Sequence, residues 1–296
     1  MATVVLFLYM NAKVVTKLLI IRVETHHYDR SCMNVEISQI VSLVLHANAY
    51  LQGHKISFDL NHSLAQICHS IEFITMPEVT SFENHSIIAS SPNEWFTLLK
   101  AQSVERLNLL YASRNQHGLS DRIEVAFAGG GGRWVIEAVK GNVCDLWESI
   151  WNTGKMRGNR LWKVYYYLLS RDWPAQSESI PLSKARSRIQ NALDDIISFA
   201  QKNEITEYWV EDFCAAKHAL DAELIMAESD YVPNDFLSSE AKQLFNACFR
   251  GWVFGGMGSW NDYWFEDEDE QSEYNQVSDE LYEAICLSLV SVANSS

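Results

Sequence analysis

Three glycines set among aromatic residues, Phe254-Gly255-Gly256-Met257-Gly258-Ser259-Trp260-Asn261-Asp262, form the stretch of this chain best suited to hold a ligand or a partner. Glycine lets backbone approach another surface closely, and loops of this kind often carry function. Trp260 and Trp264 would be the anchors, because buried indoles dominate many interfaces. Asn261 and Asp262 add polar groups beside them. The acidic run Glu266, Asp267, Glu268, Asp269 and Glu270 follows directly, and such a field speeds encounter with a basic protein. The competing reading is a loop that packs the last helix and a solvated acidic run that keeps the chain soluble.

Other patterns fail their chemical tests. A phosphate loop needs G-x-x-x-x-G-K-[ST] leading into a helix, whereas Gly129-Gly130-Gly131-Gly132 is followed by Arg133-Trp134 and a strand pattern. Those glycines read as a hairpin turn. Ser259 lies outside any G-x-S-x-G elbow. None of the nine histidines makes H-E-x-x-H, and the cluster His26-His27 with Asp29 lacks a third and fourth ligand. Cys68 and His69 are adjacent, whereas a nucleophilic Cys-His pair is normally assembled from distant positions. Asp267, Asp269 and Glu270 lack the glycine and spacing of a calcium loop. No catalytic, cofactor-binding or metal-ligating residue is assigned, and no cofactor is expected.

Charge sharpens the choice of partner. Lys and Arg number 23 against 38 Asp and Glu, a net charge of −15. After Arg250 there is no basic residue, and the last 46 residues carry ten acids. Such a surface repels nucleic acid and membrane phosphates. Lys155, Arg157, Arg160 and Lys163 are the one basic cluster, read as a solvated turn rather than a phosphate contact. Six scattered cysteines without a C-x-x-C pair argue against a disulfide framework and a zinc site, and for a reducing, cytoplasmic setting. The apolar runs in residues 1–32 are broken by Lys13, Lys17 and Arg22, so no membrane anchor is expected. That segment reads as a β-hairpin or as an extension upstream of Met33.

The elements that would position the aromatic loop follow from periodicity. Ile37, Ile40, Val41, Val44 and Leu45 predict a helix over 35–51. Short strands are expected at 56–60 and 70–75. Ser91-Pro92-Asn93-Glu94 combines a cap, a first-turn proline and a carboxylate able to bond back, predicting a helix from 92 to 113. Residues 122–128 and 134–139 read as the hairpin around the glycines, 143–151 as a helix bearing Cys144, Trp147 and Trp151, and 161–169 as a buried strand. Residues 172–181, with Pro174 and Pro181, read as a linker. Four amphipathic helices follow, opened by Ser183, Thr206, a segment from Ala241 to Trp252, and Ser278.

The expected fold is therefore α+β. An N-terminal mixed α/β unit with a small antiparallel sheet (33–171) is followed by a mainly helical, bundle-like domain (182–296). Residues 183–294, above all FGGMGSWND with the acidic stretch, Tyr274 and a final helix behind it, resemble the C-terminal part of uncharacterised bacterial proteins associated with immunity proteins of polymorphic toxin systems. That resemblance implies a cytoplasmic bacterial interaction protein whose partner is a cognate toxin or other basic protein. The alternative expectation is an enzyme with a site between the two domains. Oligomeric state is not legible.

Overall fold

The computed structural model describes residues 33–75, 85–114, 119–158, 160–175, 179–222 and 230–296, with backbone alone at 155–157. The extension at 1–32, with His26, His27 and Asp29, lies outside the described residues.

Helix α1 (Val35–Leu51) is capped by the Asn34 side chain, which accepts from the N–H groups of Glu36 and Ile37 at 2.9 and 3.2 Å. Every residue from Ile37 to Ala49 is buried, as befits a helix enclosed on all sides rather than one with a wet face. Its buried polar groups are paired. Gln39 donates to the Leu64 carbonyl at 2.8 Å.

A six-stranded mixed sheet occupies the middle of the chain, in the order β2-β1-β6-β5-β4-β3. The strands are β1 (Cys68–Thr75), β2 (Ser86–Ala89), β3 (Arg106–Ala112), β4 (Arg133–Lys140), β5 (Val143–Arg157) and β6 (Arg160–Pro174). Only the β1–β6 pairing is parallel. The expected small antiparallel sheet with a separate helical bundle is thus corrected to one larger mixed sheet with helices at both ends.

Three local misreadings account for the difference. Helix α2 (Pro92–Ala101) begins as expected, with Ser91 accepting from the Glu94 N–H at 3.3 Å. It stops ten residues or so early, at a left-handed Ser103, and 106–112 becomes β3, paired residue by residue with β4. The segment 143–151 is a strand, because a spacing of four between Trp147 and Trp151 satisfies the strand repeat as well as the helical one. Residues 56–60 form no strand. Instead Phe58 is buried and its N–H is held by Asn93 at 2.9 Å.

The hairpin expected around the glycine run is also absent. Residues 121–124 form a single helical turn, α3 (Asp121–Glu124), and the glycines lead from it into β4. Gly132 has φ +89°, and a Cβ there would lie 2.4 Å from the Tyr111 ring, while one at Gly131 would lie 2.6 Å from Tyr282 Oη. The run serves a close approach of elements, not a phosphate.

One edge of this loop carries a titration. The Glu36 carboxylate accepts the Gly129 N–H at 3.0 and 3.2 Å. Burial pushes its pKa from 4.5 up to about 7, the bond from Gly129 opposing it only in part. A raised carboxyl favours the fold most where it is protonated, so its contribution is lost as pH rises through about 7. Position in the first turn of α1 favours the anion and reduces the penalty. Glu36→Gln, which keeps an acceptor for Gly129, should therefore stabilise the protein by about 1–2 kcal/mol at pH 8 and by nothing at pH 4. Urea unfolding at the two pH values measures this, and equal stability at pH 8 would refute it.

Beyond the sheet run α4 (Leu182–Lys202), α5 (Val210–Ala219), α6 (Ser239–Arg250) and α7 (Glu268–Ala293). One main hydrophobic cluster contains buried residues ranging from Met33 to Ala293, with a small second one at Ile74, Tyr165 and Tyr167, so the main core does not divide at 172–181, where β6 extends to Pro174. Helix α7 starts ten residues before the expected cap at Ser278 and lies against α4, α6, α1 and β3. The outer edge of β3 meets two asparagines. Asn48 of α1 accepts from Leu107 N–H at 2.7 Å and donates to its carbonyl at 3.0 Å. Asn294, at the end of α7, does the same for Leu109 at 2.6 and 2.9 Å. Among the described residues no helix is long and apolar enough to cross a membrane.

Candidate functional site

The aromatic loop begins where α6 ends. Gly251 closes the helix on the Ala247 carbonyl at 2.8 Å, and a Cβ there would stand 3.1 Å from that oxygen. Trp252, Val253 and Phe254 turn inward. Residues 255–258 then reverse the chain, with Gly258 at φ +85°, so that Trp260 N–H reaches the Val253 carbonyl at 3.0 Å. Ser259 caps the 3-10 turn Trp260–Asp262 by accepting from Asn261 N–H at 3.3 Å.

Trp260 is fully buried. It stands in a box of Phe213, Tyr274, Tyr263, Trp209 and Phe199, with ring centroids 5.1 to 6.4 Å away. Its indole N–H donates to Ser278 Oγ at 2.7 Å, and Tyr274 Oη donates to its carbonyl. Of the two expected anchors Trp260 thus has no surface to offer. Ser278, expected as a helix cap, lies inside α7 as its partner.

Asn261 likewise faces inward. Its Nδ2 donates to the Arg122 carbonyl at 2.6 Å and its Oδ1 accepts from Arg122 Nη1 at 3.1 Å. Arg122 of α3 reaches Asp279 Oδ1 at 2.7 Å and Asn275 Oδ1 at 2.7 Å, and lies over the Tyr274 ring at 5.1 Å. Only 4% of that side chain is exposed. Nothing in the sequence pattern singles out Arg122, whose neighbourhood reads as a strand.

What remains outside is a partly apolar rim. Trp264 is 69% and Met257 72% exposed. Tyr208, at 50%, and Ile205, at 54%, join them from the turn before α5. Trp209 Nε1 donates to Tyr263 Oη at 3.1 Å, which ties the backbone next to Tyr208 to the backbone next to Trp264. Sequence reading missed Tyr208, although a residue next to an inward-facing Trp209 has little choice but to face out.

The acids take up more ordered positions than a free loop would give them. Asp267 caps α7 by accepting from Glu270 N–H at 2.9 Å, and Glu268, Asp269 and Glu270 occupy its first turn. Carboxylates there are favoured by the unpaired N–H groups of the helix start. Asp262 accepts from Gly258 N–H. Glu266, Asp267, Glu268 and Asp269 are exposed, and Glu204, Glu207 and Glu211 are exposed near Tyr208.

No comparable exposed aromatic and acidic surface stands elsewhere among the described residues. Among the described residues no three His, Cys, Asp or Glu side chains are placed to share a metal ion. Lys163 and Arg160 lie on β6, and Arg160 bonds to the Leu60 carbonyl at 3.3 Å. A groove of about 500 Å³ between α4 and α7 contains Arg188, Asp195, Asp279, Glu280 and Glu283. Its arginine is already clasped by Glu280 and Glu283, each at 2.8 Å. No family model, curated protein or solved structure matches the chain.

Proposed function

We propose that the protein is a non-enzymatic interaction protein that captures a basic protein through the surface around Trp264, with a cognate toxin as the partner that the sequence resemblance favours. The observation that carries this reading is the pairing of a large exposed indole with a mainly acidic rim, in which Lys202 is tied to Glu273. Trp264 and Tyr208 are exposed on either side of the part-buried Trp209–Tyr263 bond made by their chain neighbours, and every charged residue after Arg250 is acidic. A rigid base under exposed aromatic rings lowers the ordering cost of binding, and the acids select the sign of the partner.

Trp264→Ala should weaken the complex about 30-fold or more, as removal of a central aromatic anchor does, while leaving the unfolding midpoint unchanged. The check is a pull-down of tagged protein from its host, then a titration of the recovered partner by calorimetry at 50 and 300 mM salt. A basic partner bound in equal stoichiometry, lost with Trp264→Ala and weakened by salt, supports the reading. Undiminished affinity in the variant removes this surface from it. Charge reversal is best made at Glu266, because Asp267 caps α7 and Glu268, Asp269 and Glu270 occupy its first turn.

A further inference from the structure

Away from the Trp264 surface, three rings meet where the connection 52–67 packs between α1 and the chain leading into α6. His46 of α1 and His62 stand edge to face with centroids 5.1 Å apart. Phe58 stacks on His62 at 4.0 Å and meets His46 edge-on at 5.3 Å. Both imidazoles are buried, at 5% and 6% exposure.

Hydrogen bonds hold His62 in the neutral form and place the proton of His46. His62 Nε2–H donates to the Asp230 carbonyl at 2.7 Å, and its Nδ1 accepts from Leu64 N–H at 3.2 Å. An imidazolium has no acceptor left for Leu64. His46 Nδ1 lies 2.7 Å from the Ser42 carbonyl, so its proton sits there and Nε2 is bare among the rings. Ser63 completes the junction, its N–H donating to Asp230 Oδ2 at 2.9 Å and its hydroxyl to Oδ1. His54 adds an edge contact to Phe236 at 5.6 Å.

We propose that this cluster is an acid-released latch, in which protonation of His46 and His62 detaches the connection 52–67 from residues 230–236 while the rest of the fold persists. The charged groups facing the two rings are, from the connection, Asp59 and His62 itself, from α1, His46, and from the α6 side, Asp230. Burial lowers the pKa of His62, with Asp230 and Asp59 pulling the other way without prevailing. Burial likewise lowers His46, from 6.5 to about 4, against the Ser42 bond, and His62 adds to the lowering. Two cations 5.1 Å apart in an apolar pocket repel each other, so the second protonation strains what the first has loosened.

The sign follows from linkage. A histidine lowered in the closed form and ordinary in the open form holds the latch shut above about pH 6.5 and loses that grip as pH falls towards about 4. With those two values for His46 alone, the opening equilibrium rises about thirtyfold between pH 7.5 and 5.0.

Hydrogen exchange on the whole chain, corrected for the intrinsic pH dependence of exchange, tests this together with the carbon-bound proton resonances of the histidines. The expected result is that amides of 62–68 lose about thirtyfold in protection at pH 5.0, while those of β4, β5 and α7 keep theirs. His46→Phe, which retains a ring but removes one of the two titrating imidazoles, should lose clearly less protection than the wild type at pH 5.0, where His62 alone still titrates, and match it at pH 7.5. Were that variant not to fold, the wild-type resonances decide: His46 titrating near 6.5, or 62–68 opening only with global unfolding, overturns the latch.

Discussion

Arg122→Ala should lower the unfolding free energy by about 3 kcal/mol, the scale on which a buried, fully partnered charge resists removal of one side. The guanidinium spends its donors on three side chains from two separate elements, Asn261 before α7 and Asn275 and Asp279 within it. Deleting it leaves the half-buried Asn261 oxygen without its donor and Asn275 with Gln271 alone, and strips the Tyr274 ring of its cation. Asp279 is 47% exposed and can recover water, which caps the loss. Arg122→Lys should recover less than half of the deficit, because an ammonium cannot reproduce the planar fork. Chemical denaturation at unchanged m-value measures both. If Arg122→Ala costs under about 1 kcal/mol, the contact between α3 and α7 is ornamental to stability.

Trp260→Ala should cost still more, about 4 kcal/mol, because it empties the middle of a box of five aromatic rings. Two effects add. The cavity forfeits the transfer free energy of the indole, and Ser278 Oγ loses its donor. Trp260→Phe keeps most of the volume and should cost about 1–2 kcal/mol. The pair of variants separates packing from recognition. Where Trp260→Phe folds, its affinity for a partner should equal that of the wild type, whereas Trp264→Ala should fold normally and bind poorly. A Trp260→Ala protein of wild-type stability would contradict the burial of this side chain.

The FGGMGSWND stretch was legible as unusual but not as to which way each side chain faces. Aromatic residues serve cores and interfaces alike, and local spacing carries no information on depth. Trp264 and the acids at 266–269 did emerge outside, although Trp264 stands between Tyr263 and the buried Phe265, which local spacing alone does not distinguish from it. Tyr208 and Arg122 come from elsewhere in the chain and meet the loop only through the fold. The helices α1, α4 and α6 followed from periodicity, as did β1, β4 and β6, and Ser91-Pro92 marked the start of α2. The α+β class followed, but the arrangement of its sheet and helices did not. Leu107, Leu109 and Tyr111 alternate correctly for a strand, yet they continue a helical run without a breaker. Trp147 and Trp151 fit either repeat. Each ambiguity removed one strand, the short β2 was not read at all, and without these three the six-stranded sheet is reduced to β1, β4 and β6, with the helices read apart from it.

The asparagines along β3 carry a consequence for the order in which the molecule can be completed. Leu107 and Leu109 turn their N–H and C=O groups away from β4, and an open strand edge of this kind recruits strands from other chains. Asn48 reaches Leu107 from a helix made earlier, but Asn294 is separated from Leu109 by 185 residues. During synthesis from the N-terminus, half of that edge therefore stays adhesive until nearly all of the described chain has emerged. The last turn of α7 is what finally closes it, so the chain spends most of its synthesis protected from its own copies by dilution and chaperones rather than by structure.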